Sequence, residues 1–251
     1  IARLDFGFGT AQCGVACQGG LGAHRCAVQP CEGGCLKILL IHQNFPGQFR
    51  GLVPELISAG HDVRAISMRQ ETVLAGVSNT PYKPSRSNGK DTHPWLVSTE
   101  TAVLRGEAVA NVVSQMQASG WVPDVVLGHT GWGEMLYLRQ AAPHARLLGF
   151  CELYYQVEGG DVGFDPEFPA PPQLAERLQT RNMHLASSLL SCDVGITPTQ
   201  WQASCFVPAL RERGYDIELL FRKFSTDFAE KNHIRPIELT ESASQMLMNF
   251  R

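Results

Sequence analysis

The sequence predicts an α/β fold, a parallel sheet flanked by helices, on three observations. Short apolar runs recur at lengths right for buried strands. Stretches with helical spacing of apolar residues separate them. The first strand–helix–strand unit also fits within about 30 residues, the size of a right-handed crossover between parallel strands.

Lys37-Ile38-Leu39-Leu40-Ile41-His42 is the first run. The loop Gln43-Asn44-Phe45-Pro46-Gly47-Gln48 follows, then a helix with Leu52, Val53, Leu56 and Ile57 on one face. Pro54 is tolerated near the first turn of that helix, and Gly60 suits its C-terminal end. His61–Ile66 reads as the second strand. Residues 70–94 are polar and carry Pro81, Pro84, Gly89 and Pro94, so they read as a long surface loop with room for one short element. Trp95-Leu96-Val97-Ser98 is a candidate strand. The helix after it has Val109, Val112, Val113 and Met116 at helical spacing, and these read as core. Asp124–His129 is another buried-strand signal, after which Thr130-Gly131-Trp132-Gly133-Glu134 opens a helix to about Gln140. Ala145–Phe150 is a strand, and 151–170 is an acidic, aromatic loop. Leu174, Leu178, Leu185 and Leu189 mark one face of a helix over 172–191. Asp193–Pro198 is a last strand, and Thr199-Gln200-Trp201-Gln202 starts a short helix. After Pro208 the alternation fades, which leaves one Rossmann-like domain with two poorly specified ends.

Composition narrows the function classes. The chain has 251 residues, enough for one large domain or two small ones. Its 21 Lys+Arg against 24 Asp+Glu give a net charge of −3, so the basic footprint of a nucleic-acid binder is missing. No stretch approaches the ~18 apolar residues of a transmembrane segment; peripheral membrane association stays open. Cys13, Cys17, Cys26, Cys31 and Cys35 crowd ahead of Leu36. A secreted disulfide framework and a zinc site are alternative readings. The spacings match no paired C-x2-C set, and nothing before Cys13 resembles a signal peptide. Residues 1–35 therefore read as a disordered Gly/Cys-rich leader, non-native in origin, with the natural start expected at Leu36. The chain contains no G-x-G-x-x-G, P-loop or G-x-S-x-G motif. No cofactor is expected, and no Asp-x-Asp pair is present to hold a metal.

Four segments carry a resemblance: His42-Gln43-Asn44-Phe45-Pro46-Gly47-Gln48-Phe49-Arg50, Gly128–Glu134, Glu152–Tyr155 with Glu158–Pro169, and Thr197–Gln202. In this order and spacing they resemble bacterial family-four glycosyltransferases of the two-domain GT-B kind, over residues 36–206. The resemblance implies that this part is the N-terminal, acceptor-side half of such an enzyme. It implies transfer of a sugar from a nucleotide-sugar to an acceptor hydroxyl, without a metal. The partners it implies are a nucleotide-sugar donor and a carbohydrate or lipid-linked acceptor in surface-polysaccharide assembly, in the cytoplasm or at the inner face of the membrane. Residues 207–251 are too few for a second such domain. They read as an atypical tail in place of the donor-binding half, so the chain is expected to be a truncated member. A non-catalytic carbohydrate- or nucleotide-binding module on the same fold is the alternative.

In open α/β sheets, ligands sit beyond the carboxyl ends of the strands. The loops leaving such ends are 43–48, 129–133 and 151–165. Gly47 stands before a helix, where backbone can approach an anion; the alternative is a tight turn needing positive φ. The resemblance places Asn44, Gly47 and Gln48 under the sugar diphosphate. His129, just past a strand, is the catalytic candidate, as a neutral imidazole bonding the reacting sugar or an acceptor hydroxyl. Its alternative is satisfying loop backbone. Trp132 either stacks on a sugar or packs the helix start. Glu134 is read as a first-turn carboxylate favoured by the helix dipole. Glu152, Tyr154 and Asp161 are substrate-binding candidates, since an aromatic ring offers an apolar face and sugar hydroxyls need acceptors. They lie among Tyr155, Glu158, Asp165 and Glu167, and a solvated acidic loop is the alternative.

Overall fold

The computed structural model describes residues 35–71, 74–158, 167 and 170–211. The expected leader up to Gly34, the tail beyond Arg211 and the candidate Asp161 lie outside these residues. Six strands are present: β1 (Lys37–Ile41), β2 (Asp62–Ser67), β3 (Ser78–Pro81), β4 (Val125–His129), β5 (Arg146–Phe150) and β6 (Val194–Ile196). They form one sheet in the order β3-β2-β1-β4-β5-β6, every neighbouring pair parallel. The order reverses between β1 and β4, which pair through Ile38 with Val125 and Leu40 with Leu127. This is the doubly wound arrangement, whose crevice opens beyond the carboxyl ends of the two strands at the reversal.

Both faces of the sheet are covered, so its central strands are buried along their length rather than alternating. Leu39, Ile41, Val126 and Leu147 face one side. There they meet Val109, Val113 and Met116 of α2 (Val97–Ala118). Ile38, Leu40, Val125 and Leu127 face the other side and pack on Phe45, Phe49, Val53 and Leu56. The last two belong to α1 (Leu52–Ser58). Beyond α3 (Leu138–Ala141), α4 (Leu174–Ser191) closes the first face, and its Leu189 packs with Cys151, Phe206 and Leu210. Phe206 follows α5 (Gln200–Cys205), and Leu210 lies in α6 (Pro208–Arg211).

Two expectations are corrected, and the short element for which 70–94 left room is β3. Trp95–Ser98 is not a strand: the chain turns at Leu96 and enters α2 at Val97. Polar anchoring drives this, because the Glu100 carboxylate in the first turn accepts from the Gly89 backbone at 3.2 Å and from Arg86 at 2.7 Å. Residues 70–94 contribute β3, whose Ser78-Asn79-Thr80-Pro81 has no apolar alternation because it is the outermost, exposed strand. The helix expected over 130–140 is instead a 3-10 turn, Thr130–Trp132, with α3 following at Leu138. Gly133 breaks it, with φ at 96°. A Cβ on Gly133 would lie 2.3 Å from the Ala102 backbone, so α2 rides directly on this loop.

Candidate functional site

The loops after β1, β4 and β5 meet at the point where strand order reverses. His42 follows β1 directly, and His129 ends β4. Both rings are buried, each 3% exposed. Local hydrogen bonds fix their tautomers. The Asn44 backbone N–H donates to Nδ1 of His42 at 3.0 Å. A backbone N–H can only donate, so Nδ1 accepts and the proton sits on Nε2, which faces Oε1 of Gln48 in a short hydrogen bond. His129 repeats the pattern. Gly131 N–H donates to its Nδ1 at 2.9 Å, and its Nε2–H reaches Oε2 of Glu152 at 3.1 Å.

Gln48 closes the row, because its amide also bonds the Glu152 carboxylate. A continuous chain results: Asn44 N–H to His42, His42 to Gln48, Gln48 to Glu152, with His129 and Gly131 arriving from the other side. Every donor points toward one carboxylate. The Glu152 side chain remains 39% exposed, whereas that of its partner His129 is 4% exposed. The hydrogen bond from His129, more than any other cause, holds the Glu152 carboxyl below the usual carboxylate range. Burial pushes His42 down from 6.5 to about 4, so that ring is neutral across the physiological range.

Aromatic contacts lock the same groups. The Trp132 ring stacks on His129 at 3.9 Å with 14° between planes, and it meets the His42 ring in a T-shaped contact at 4.8 Å. Phe150 and Phe49 lie behind, 6.1 Å apart. Gly47 has the positive φ of a tight turn, +46°, and the space of its missing side chain is filled by the His42 ring.

The other candidates fall elsewhere. Tyr154 packs on Phe206 at 5.2 Å, outside the row. Tyr155 instead accepts a hydrogen bond from Arg181 at 2.9 Å, under its guanidinium. Glu134 is not a first-turn carboxylate but a core residue, 1% exposed, accepting from the Tyr82 hydroxyl at 2.6 Å. Burial raises its pKa, so the dipole reading gives way to a buried acid. His129 has both ring nitrogens engaged, one by loop backbone and one by Glu152. His42 is the residue that sequence reasoning passed over. The rule that drew attention to His129, a polar side chain at a strand exit, applies equally to it.

No metal-holding group of His, Cys, Asp and Glu occurs among the described residues. No helix among them is long and apolar enough to cross a membrane.

The sequence profile of the glycosyl transferase family 4 group matches residues 59–218, more than half the chain. No curated relative matches. Among solved structures, a candidate UDP-N-acetylglucosamine 2-epimerase from Listeria monocytogenes is similar at TM-score 0.44 and 13% identity, over 85% of this chain and 51% of its own. The catalytic domain of starch synthase IV from Arabidopsis thaliana, bound to ADP and acarbose, gives 0.38 and 14%, over 68% and 46%. The Streptomyces glycosyltransferase SsfS6, complexed with thymidine diphosphate, gives 0.38 and 17%, over 65% and 49%. The chain spans about half the length of each.

Proposed function

The chain belongs to the glycosyl transferase family 4 group, and from that premise we propose that it forms the acceptor-holding side of a sugar-transfer cleft. The supporting observation is the convergence of hydrogen-bond donors from the loops after β1 and β4 on Glu152, at the reversal of strand order. The domain of residues 36–206 would bind the acceptor. A nucleotide-sugar would lie across the crevice, its diphosphate over the loop Asn44, Gly47 and Gln48.

The assigned chemistry is a substitution at the anomeric carbon. The acceptor hydroxyl oxygen forms the new C–O bond. The bond from that carbon to the diphosphate oxygen breaks, and the diphosphate leaves with the electron pair. The hydroxyl proton passes to Glu152, the exposed member of the row. His129 is then a positioning residue. It holds Glu152 ionised and aimed, and the Gly131 N–H keeps its proton on Nε2. Trp132, stacked on His129, offers its other face to a sugar ring. Membrane proximity and a lipid-linked acceptor belong to the same proposal.

The test is transfer of labelled sugar from UDP- and GDP-sugars to carbohydrate acceptors by the purified chain. Transfer that is lost in Glu152→Gln supports the reading. Saturable sugar or nucleotide binding with no transfer from any donor would overturn it, leaving the non-catalytic binding module.

A further inference from the structure

We propose that the cavity between α2, α4 and the 3-10 turn after β4 binds an anionic group, a phosphate or a carboxylate, on the acceptor. The proposal rests on the acceptor-side reading above and names the acceptor's chemistry. The cavity measures about 190 Å³, and Trp132, Tyr155, Arg105, Arg181, His184 and Ser98 are among the residues lining it. Gly131 of the Glu152 row lines it, as does Trp132, which stacks on His129, so the cavity borders that row. The size suits one charged group on a ring, since sites for whole drug-sized ligands run from roughly 300 Å³ upward.

Its polar lining is cationic. Neither Arg105 nor Arg181 makes an ion pair among the described residues. Arg181 is held over the Tyr155 ring at 4.3 Å and donates to its hydroxyl at 2.9 Å, which fixes the guanidinium without neutralising it. Glu134 lies within electrostatic reach of Arg105, and its burial favours the protonated, uncharged form. Two guanidiniums with free donors at one cavity fit the forked geometry of phosphate and carboxylate oxygens.

His184 supplies an independent sign. It is 7% exposed, its Nε2 lies 3.2 Å from the Gly131 carbonyl, and its Nδ1 has no partner. The carbonyl can only accept, so Nε2 carries the proton and Nδ1 is an unfilled acceptor. Buried polar atoms in native structures are rarely left without a partner.

The test is equilibrium binding to the full chain at low salt, followed by calorimetry, with glucose 1-phosphate, glucuronate and glucose as probes and no donor present. The expected result is saturable binding of glucose 1-phosphate or glucuronate at least tenfold tighter than glucose; whichever binds tells phosphate from carboxylate. Arg181→Gln and Arg105→Gln should each weaken that binding about tenfold, in line with ~1.4 kcal/mol per decade. Lys83→Gln, which removes one exposed positive charge outside the cavity lining, should leave it unchanged. Arg181 is exposed, so its variant keeps the test valid even where Arg105→Gln fails to fold. Binding unaltered by Arg181→Gln, or no preference for the charged probes, overturns the proposal. Because no turnover is read, a bound anion with no transfer activity sinks only the proposed function. Transfer to uncharged acceptors without any bound anion sinks only this inference.

Discussion

Glu152 accepts from both His129 and Gln48 and still faces solvent. Replacing it with Gln keeps the shape and removes the proton acceptor. Transfer should fall about 10²–10⁴-fold, the usual contribution of a positioned base, while thermal stability changes little. Rates measured beside melting curves decide the matter, and equal activity of the two proteins would remove Glu152 from the chemistry. His42 leads to a pH prediction. Its ring is pushed down to about 4 from 6.5, chiefly by burial. Between those values the unfolded chain binds a proton that the native ring refuses. Stability is therefore present above pH 6.5 and is lost as pH falls toward 4, by up to roughly 3 kcal/mol. Glu134 acts in the opposite sense. Its raised pKa stabilises the native state below the ordinary carboxylate value and loses that contribution as pH rises. Urea unfolding at pH 7 and pH 5 separates the two when repeated in His42→Gln, which should lose less stability at pH 5 than the parent chain. Equal losses would show that His42 is not the group responsible. The buried pair gives a third expectation. Tyr82→Phe strips the donor from a carboxyl whose second oxygen already has no partner, and should cost about 1–3 kcal/mol. Glu134→Gln keeps an acceptor for Tyr82 and should cost less. A milder loss in Tyr82→Phe than in Glu134→Gln would reverse that ranking.

At the scale of elements, legibility followed burial. The runs at β1, β4 and β5 could be read because central parallel strands are apolar along most of their length, and β2 from its Val63, Ala65 and Ile66. The long α4 was equally plain, from leucines on one face. β3 was not, since an edge strand of Ser, Asn, Thr and Pro buries too little to leave a pattern. Trp95-Leu96-Val97 misled for the converse reason: a short apolar run does not distinguish a strand from a helix start, and distant anchors at Arg86 and Gly89 settled it. The segment after β4 turned on Gly133, whose positive φ and contact with Ala102 cannot be read from spacing. That contact is testable. Gly133→Ala places a methyl group 2.3 Å from the α2 backbone and forces the left-handed region on a side chain. A loss of at least about 2 kcal/mol is expected, with α2 shifted and the neighbouring cavity distorted. Denaturation midpoints check the first part; an unchanged midpoint would mean that α2 moves away freely.

For the whole molecule, the strand order decides where function can lie. Sequence alone supplied the strand-end loops as candidates, and the structure brings 42–48, 129–133 and Glu152 together. It could not supply the pairing order, which depends on crossovers between residues 87 positions apart, such as Lys37 and Asp124. It also missed Arg105 and Arg181, because an arginine on a helix looks the same whether it faces solvent or a cavity. Ligand binding should accordingly perturb backbone amides at 42–48, 129–133 and 151–155. Those at Gly60 and Gly120, beside the opposite strand ends, should be unaffected. Hydrogen exchange or amide shift mapping with glucose 1-phosphate checks this, and changes centred on Gly60 or Gly120 would relocate the site.

The face-to-face stack of Trp132 on His129 gives the protein an optical readout of its own. An indole pressed against an imidazole is sensitive to any charge placed on that ring, so events at Glu152 are relayed into emission intensity. With Trp95, Trp121 and Trp201 changed to Phe, Trp132 becomes the sole tryptophan, excited apart from the five tyrosines at the red edge of absorption. Occupancy at the cleft can then be followed in real time without a dye.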